Sequence, residues 1–316
     1  PRRPDRVAII RLDGKACEAD VVWNLSEEQF DTVYKTVEVT GEAGEDKYPV
    51  KARVMTVPQE LRYYIDCAAD VPVNPNGGGA LEIRSSVYEA VEKYFEAGGK
   101  ALLNDTADQK YGSAADQWGF EITDSKNPLK PSPDGAEGEY DNSYTAGWRT
   151  NGSEIVYHLT LDAGTYKITN GFHDWYGSRS RDMRPELIYK DENGKEQKIT
   201  FDTILSRGTD MAVTNKFTLP VSGDVTYKLV HAANEKPIIS WLAVEESANL
   251  TSIEVSKMPD KTMYSIGEKL DTTGMEVTGY YDNGTERKLS DSQYSVSGFD
   301  SSVPGDKTVT ITAKED

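Results

Sequence analysis

The stretch YTAGWRTNGSEIVYHLTLDAGTYKITNGFHDWYGSRSRDMRP, residues 144–185, decides the fold prediction. Apolar and polar residues alternate over 155–161 and again over 165–169, and Asp162-Ala163-Gly164 stands between the two runs. Alternation with a period of two predicts strands with one buried face, and a short segment with Asp and Gly between such runs predicts a tight turn. We therefore expect two consecutive antiparallel strands here.

The rest of this stretch has a different composition. Residues 171–181, GFHDWYGSRSR, combine aromatic rings, guanidinium groups and turn residues, where a buried strand would carry more aliphatic side chains. A sugar ring offers an apolar C–H face and a rim of hydroxyls, so aromatic rings beside multi-donor polar groups suit its recognition. The residues thus favour a carbohydrate-binding surface. Its candidate residues are Tyr144, Trp148, Arg149, His173, Asp174, Trp175, Tyr176, Arg179, Arg181 and Arg184.

Length and charge limit the classes of protein that fit. The chain has 316 residues, which predicts two or three domains. Its formal net charge of −18 argues against nucleic acid and anionic membranes as partners. No apolar run approaches the length of a membrane span, so we expect no membrane insertion. These observations favour an extracellular or cell-wall-associated protein, which we expect to be a monomer.

Cysteines and acidic residues bear on cofactors. With two cysteines, Cys17 and Cys67, neither a disulfide framework nor a zinc cluster is available, while a single bridge and two unrelated thiols both stay open. The three histidines lack metal-ligand spacing. No cofactor is predicted, although loop carboxylates leave a structural calcium ion open. The candidates for that ion are Asp105, Asp108, Asp116 and Asp141.

Catalytic motifs are absent from the sequence. It contains no G-x-S-x-G elbow, Walker loop or G-x-G-x-x-G. Glycosidases need two carboxyls at a set separation, and with 53 acidic residues a coincidental pair is always available. No such pair sits in a recognisable catalytic block. We therefore assign no catalytic residue and predict a non-catalytic fragment.

Turn spacing divides the chain into three β-rich segments and a linker. Residues 1–67 and 248–316 carry short strands typical of small β-sandwiches, and residues 100–247 carry roughly eight strands, which predicts a jelly roll. Residues 68–99 hold a proline- and glycine-rich linker and a short helix between the cap Ser85 and the stop Gly98-Gly99, which is expected to seal the next domain by packing. The predicted fold class is all-β: three sandwich domains with one short helix before the middle one.

The two outer segments resemble bacterial immunoglobulin-like modules. Asp13-Gly14, Val21-Val22-Trp23 and the strand at 50–58 are similar to the group 4 modules, although the opening strand is missing, so the chain is expected to begin inside that module. Residues 250–255 and 280–285, with the hairpin turn Asp282-Asn283-Gly284, are similar to the group 3 modules. Such modules usually serve as spacers, which the resemblance implies here.

The middle segment resembles an accessory module of large secreted glycoside hydrolases from Gram-positive bacteria. The blocks that carry the resemblance are LLNDTADQ (102–109), QWGF (117–120), YTAGW (144–148), LDAGTY (161–166), GFHDW (171–175) and ISWLAV (239–244). It implies a sandwich related to galactose-binding-like modules. An insertion at 177–182 departs from the family pattern and reshapes the presumed sugar-facing loop.

Together these observations predict a role in tethering, in which the chain binds a polysaccharide or glycan and holds the catalytic domain of the same parent chain near it. The resemblance implies that this ligand contains arabinose, galactose or xylose. The resemblance implies that the parent is an arabinofuranosidase, a galactosidase or a xylan-acting enzyme. Two alternatives stay open. One is a structural or adhesive spacer without ligand, in which Trp148 and Trp175 would be buried; the other is an enzyme with facing carboxyls.

Overall fold

The structure is a computed structural model of the chain. It describes residues 6–10, 16–26, 33–34, 36–58, 60–71, 84–98, 101–112, 118–132, 147–174, 180–206, 210–282 and 284–314. Over these ranges the chain forms antiparallel sheets and one α-helix, so the all-β prediction is confirmed. Within the same ranges, every helix is too short or too polar to cross a membrane. The chain divides into two compact units, Pro1–Glu246 and Ser247–Asp316.

The first unit begins with a four-stranded antiparallel sheet. Its strands pair in sequence order and are β1 (Arg6–Ile10), β2 (Ala16–Asn24), β3 (Thr36–Ala43) and β4 (Tyr48–Met55). The turn between β3 and β4 has positive φ at Gly44 (71°) and Lys47 (53°). Val39 and Ala43 are buried on one face of β3, as alternation predicts. These four elements are short strands, as predicted for this part of the chain.

The rest of the first unit forms a second β structure with the helix. Its elements are β5 (Leu61–Asp66), α1 (Ser86–Ala97), β6 (Gly119–Glu121), β7 (Lys130–Ser132), β8 (Gly147–Arg149), β9 (Glu154–Leu161), β10 (Gly164–Phe172), β11 (Arg181–Lys190), β12 (Glu196–Thr200), β13 (Ile204–Ser206), β14 (Met211–Leu219), β15 (Gly223–Asn234), β16 (Ile238–Ile239) and β17 (Trp241–Glu246). We call this part the middle sandwich.

Two sheets of the middle sandwich face each other. One has the order β14-β10-β17-β5, and the other is a six-stranded sheet with the order β12-β11-β15-β9-β6 and β13 on β11. Ile168 and Leu242 of the first sheet meet Leu159 and Leu187 of the second in a shared core, where all four are fully buried. A small sheet of β16, β8 and β7 lies beside them. The predicted hairpin of residues 155–169 is the connection from β9 to β10.

Strand β5 belongs to the middle sandwich, which corrects the predicted domain boundary at residue 67. It pairs with β17, with Tyr63 opposite Val244 and Ile65 opposite Leu242. Tyr63 and Ile65 point into the core between the sheets, and Tyr64 is buried on the other face. Regular strand spacing along a sequence does not report which sheet a strand joins, because the partner of β5 lies far along the chain.

Helix α1 covers the outer face of the four-stranded sheet of the middle sandwich. The Ser85 side chain accepts a hydrogen bond from the backbone N–H of Tyr88 (3.1 Å), and Gly98 ends the helix, so the predicted cap and stop are confirmed. Apolar helix residues pack against the sheet in a second core; they are Val87, Tyr88, Val91 and Phe95, facing Tyr64, Trp241 and Ala243. The helix is therefore part of the middle sandwich rather than of a linker. Pro72, Pro75 and Gly77-Gly78-Gly79 lie outside the described residues.

The C-terminal unit, residues 247–316, has a much smaller core. Its strands are β18 (Leu250–Lys257), β19 (Glu276–Tyr281), β20 (Glu286–Lys288), β21 (Tyr294–Ser297) and β22 (Thr310–Ala313), in sheets β18-β19-β20 and β21-β22. Among its described residues, Val277, Leu289 and Tyr294 form the buried cluster. A cavity of about 790 Å³ opens beside it and is lined mostly by apolar side chains, including Met263 and Ile266.

Candidate functional site

Described strand ends that flank the predicted site residues meet at one end of the middle sandwich, which we call the loop end. Strand β10 finishes at Phe172, and β11 starts at Arg181, which lies opposite Asn234 of β15. Strand β8 pairs with β16, and Ser240, the residue after β16, donates its N–H to the carbonyl of Gly171 near the end of β10 (2.8 Å). Strand β8 is therefore connected to the same end. Strand ends that are distant in sequence thus lie close together here.

Trp148 is a core residue, which corrects its assignment as a sugar-stacking ring. It is 1% exposed and lies with its ring centroid 4.8 Å from that of Phe120. Its indole Nε1–H donates to a carboxylate oxygen of Asp108 (2.7 Å). A stacking platform needs one open face, and both faces of this ring are covered. The sequence suggested exposure because Trp148 stands in a turn-rich block, whereas burial depends on partners far along the chain.

Asp108 is the buried acceptor that organises this core, rather than a calcium ligand. It accepts hydrogen bonds from the backbone N–H of Ala68 (2.7 Å) and Gln109 (2.8 Å), from Trp148 Nε1–H and from the Tyr157 hydroxyl (2.9 Å). These donors lower the pKa of Asp108, but its burial raises it more, to about 7. With its oxygens occupied by four donors, the carboxylate has no room for a cation.

Asp174 and Arg181 form a buried ion pair at the base of the loop end. Arg181 Nη2 lies 3.2 Å from Asp174 Oδ1, and Arg181 Nη1 donates to the Lys236 carbonyl (2.6 Å). Both side chains are almost fully buried. The guanidinium is thus used within the fold, which corrects the prediction that Asp174 and Arg181 contact sugar hydroxyls. Their role is to fix the two ends of the β10–β11 connection.

Three other predicted residues keep partly exposed side chains. His173 lies at the loop end with Nδ1 2.6 Å from Asp210 Oδ1, and Arg149 ends strand β8 opposite Ile238 of β16. Arg184 lies farther along β11 on the outer face of the six-stranded sheet, where its Nε donates to Glu186 (3.1 Å). The loop end therefore gathers His173 and Arg149 but not Arg184.

The remaining predicted residues fall outside the part of the chain that the structure describes. They are Tyr144, Trp175, Tyr176 and Arg179 of the sugar site and Asp116 and Asp141 of the calcium candidates. Asp105 is described and is exposed to solvent. Over the described ranges, His, Cys, Asp and Glu side chains do not form a group of three or more that could hold a metal ion. Cys17 and Cys67 are both free thiols.

A pair of aromatic rings that the sequence analysis did not identify lies on the outer face of the six-stranded sheet. The Tyr111 ring stacks on the His158 ring with centroids 3.9 Å apart and an interplanar angle of 21°. His158 Nε2 lies 2.8 Å from Glu121, and Nδ1 lies 3.3 Å from the Thr226 hydroxyl. The imidazole is thus held at both nitrogens. We call this stack the Tyr111 platform.

Backbone geometry at Gly119 brings Tyr111 to this face. Gly119 has φ of 134°, and a Cβ there would lie 2.5 Å from the Gln109 carbonyl oxygen and 2.8 Å from the Tyr111 nitrogen. The absence of a side chain lets residues 109–111 run along β6, and the Tyr111 N–H donates to the Phe120 carbonyl (2.9 Å). The glycine in the QWGF block was visible in the sequence, but Tyr111 and His158 are 47 positions apart, so their contact was not.

Comparisons with known proteins match parts of the chain to one domain family and to two larger proteins. Residues 258–316 match the bacterial Ig-like domain (group 3) family, which confirms that resemblance for the C-terminal unit. The chain is 45% identical over 67 residues to pectate lyase L of Thermoclostridium stercorarium, covering 21% of this chain and 5% of that protein. It is 35% identical over 88 residues to an exo-beta-1,6-galactobiohydrolase of Bifidobacterium longum subsp. longum, covering 26% and 6%. The chain therefore corresponds to a small part of either relative.

Solved structures resemble the chain only distantly. The CBM22-1 xylan-binding domain from Paenibacillus barcinonensis aligns with a TM-score of 0.32 at 12% identity, covering 44% of this chain and 89% of that domain. At this score and identity the likeness carries no argument about ligand or activity. The resemblance of residues 1–67 to the group 4 modules stays a prediction.

Proposed function

We propose that this chain is a non-catalytic carbohydrate-binding and spacer region of an extracellular glycoside hydrolase. The middle sandwich binds a polysaccharide or glycan that contains arabinose, galactose or xylose, and the immunoglobulin-like parts act as spacers. Binding raises the concentration of substrate around the catalytic domain of the parent chain, so a weak single site is sufficient. The parent is an arabinofuranosidase, a galactosidase or a xylan-acting enzyme.

The sequence matches to two carbohydrate-active enzymes carry this proposal. One relative is named for pectate and the other for beta-1,6-linked galactobiose, so both names refer to carbohydrate. The chain spans 5% of one and 6% of the other, as an accessory region of a larger enzyme would. One is a lyase and the other a hydrolase, so their shared feature is the class of substrate.

The loop end supports a binding role at the predicted site. Trp175, Tyr176 and Arg179 stand between Asp174 and Arg181 in the sequence. The buried ion pair of those two residues fixes the positions at which this segment leaves and rejoins the sheets. Fixed ends reduce the conformational entropy that a binding loop loses when it meets a ligand. Partly exposed His173 beside them adds a polar group that can contact hydroxyls.

A spacer without ligand is the second candidate, favoured by the burial of Trp148. A spacer needs no exposed aromatic ring, and Trp148 is buried in the core. The two candidates differ in one measurable property, since a spacer is not retarded by any glycan.

Affinity electrophoresis of the full chain separates the two candidates. We expect retardation in gels that contain arabinan, galactan, xylan or mucin glycans, and we expect Trp175→Ala to weaken it. Tyr48→Ala, which removes a 50% exposed ring of the first sheet, is the matched control and should leave retardation unchanged. Unaltered mobility of the wild type in every gel would leave only the spacer function. Release of reducing sugar by the purified chain would contradict its non-catalytic assignment.

A further inference from the structure

The Tyr111 platform is an exposed ring whose position is set before any ligand binds. Tyr111 is 36% exposed, and one face of its ring is covered by His158, so the exposed area belongs largely to the other face and the edge. Tyr111 belongs to neither buried core of the middle sandwich. An aromatic ring held on a rigid sheet loses little conformational entropy when a ligand stacks on it. Packing of the core does not account for this arrangement.

Polar side chains surround the platform on the same face of the sheet. Residues of β9 and β15 that point outward form pairs next to His158: the Thr160 hydroxyl lies 3.1 Å from Asp224 Oδ1, and Lys228 Nζ lies 3.4 Å from Glu154 Oε2. Beside them, Glu121 is exposed, and its carboxylate contacts the His158 ring of the platform. Hydroxyl, carboxylate and ammonium groups together offer both donors and acceptors to the hydroxyl rim of a sugar.

The charge of this surface distinguishes between classes of saccharide. Next to the platform, Glu121, Asp224 and Glu154 bring three carboxylates and Lys228 brings an ammonium, whereas Arg184 and Lys198, farther across the face, pair with Glu186. The whole chain carries a formal net charge of −18. A uronate polymer carries a carboxylate on every unit and would be repelled, whereas a neutral sugar can donate its hydroxyl protons to these carboxylates.

We propose that the Tyr111 platform is a saccharide-binding site for a neutral sugar unit, which stacks on the free face of Tyr111 while Glu121 and Thr226 hold the supporting imidazole. This inference rests on the proposed carbohydrate-binding function and adds a second site to the one at the loop end. His158 lies opposite Thr226 of β15, eight positions before Asn234, which faces Arg181 at the loop end, so roughly 26 Å of strand separates the platform from the loop end at 3.3 Å per residue. The two sites can therefore be tested separately.

Affinity electrophoresis and titration calorimetry with the full chain test the platform. The probes are arabinan, galactan and xylan as neutral polymers and polygalacturonate as the anionic one. Tyr111→Ala should weaken binding of the neutral polymer about tenfold or more, whereas Tyr111→Phe keeps the ring and should stay within about twofold of the wild type. Tyr48→Ala is the matched control in the first sheet. Polygalacturonate should not retard the wild type.

Each outcome separates the inference from the function on which it rests. No retardation of the wild type by any probe would overturn both. Wild-type binding that Tyr111→Ala leaves unchanged and Trp175→Ala abolishes would keep the function and overturn the platform. Stronger binding to polygalacturonate than to neutral polymers would overturn the charge argument and, with it, the assigned sugar class. Because Tyr111 lies outside both cores, its variants should unfold at the wild-type temperature; a large drop would assign Tyr111 to packing and overturn the platform.

Discussion

The middle sandwich and the C-terminal unit are both antiparallel β structures, yet they bury apolar side chains to different depths. Core residues such as Ile168, Leu187 and Leu242 in the sandwich are fully buried between two sheets. In the C-terminal unit, Met263 is 86% exposed on the wall of a cavity of about 790 Å³. The aromatic platform lies on the well-packed sandwich, whereas the large cavity lies in the loosely packed unit. A rigid support under an exposed ring therefore argues more strongly for a binding site than cavity volume does.

Truncating one core leucine in each region should give the largest changes in the free energy of unfolding. The two losses should differ if the two regions are packed to different extents. Leu242→Ala removes a side chain enclosed on all sides and should cost about 4 kcal/mol, whereas Leu289→Ala in the small C-terminal core should cost about 2 kcal/mol. Denaturant titration with probes of each unit measures both values. Equal losses would mean that the C-terminal core is packed as tightly as the sandwich.

Adding a methyl group at Gly171 tests how tightly the outer core of the sandwich is packed. A Cβ there would lie 1.9 Å from Trp241 Nε1, and Trp241 is itself enclosed by the helix side of the sheet. Gly171→Ala should therefore cost about 3 kcal/mol. Gly223→Ala, where a Cβ would have no heavy atom within 4 Å, is the matched control and should change stability by less than about 0.5 kcal/mol. A small effect at Gly171 would show that the indole can move aside.

The dependence of stability on pH should have opposite signs in the two regions. Burial raises the pKa of Asp108 to about 7 and that of Asp66 to about 6, so the folded sandwich favours their protonated forms. The sandwich should therefore lose stability as pH rises from about 4 to about 7. In the C-terminal unit, hydrogen bonds lower the pKa values of Glu268 and Asp271, and that unit should gain stability as pH rises through about 3 to 4.

A variant of Asp108 isolates its share of this dependence. Asp108→Asn is neutral at every pH, so the fall in sandwich stability between pH 4 and 7 should become shallower, and stability at low pH should drop by about 1 to 2 kcal/mol because one acceptor is replaced by a donor. Exposed Asp105→Asn is the control. Urea titrations at pH 4, 5, 6 and 7 give the slopes; an unchanged slope in Asp108→Asn would assign the titration to other groups.

Local patterns in the sequence predicted the elements of the fold. The alternation over residues 155–169 predicted β9 and β10, and Ser85 and Gly98 predicted the ends of α1. These signals succeed because a strand face and a helix cap depend on neighbouring residues. The spacing of strands failed at β5, since its partner β17 follows it by more than 170 residues.

The site was harder to predict because its contacts are distant in sequence. Trp148 stands in a turn-rich block, which is typical of exposed loops. In the structure, Asp108, 40 residues earlier, accepts a hydrogen bond from its indole N–H inside the core. The sequence predicted Arg181 as a donor to sugar hydroxyls, whereas in the structure its guanidinium pairs with Asp174. Tyr111 and His158 carry no local signal of stacking. A sequence shows which residue types are present, whereas exposure of a ring is a property of the assembled sheets.

Observation of individual tyrosine rings during a titration tests the central claim most directly. The chain has 18 tyrosines, and the ring signals of Tyr111 and Tyr264 can be assigned in a ¹³C-labelled sample from Tyr111→Phe and Tyr264→Phe. Tyr264 lines the cavity of the C-terminal unit. On addition of arabinan, galactan or xylan oligosaccharides, the account predicts that the Tyr111 signal shifts and the Tyr264 signal stays in place. A shift of Tyr264 with Tyr111 unmoved would contradict it.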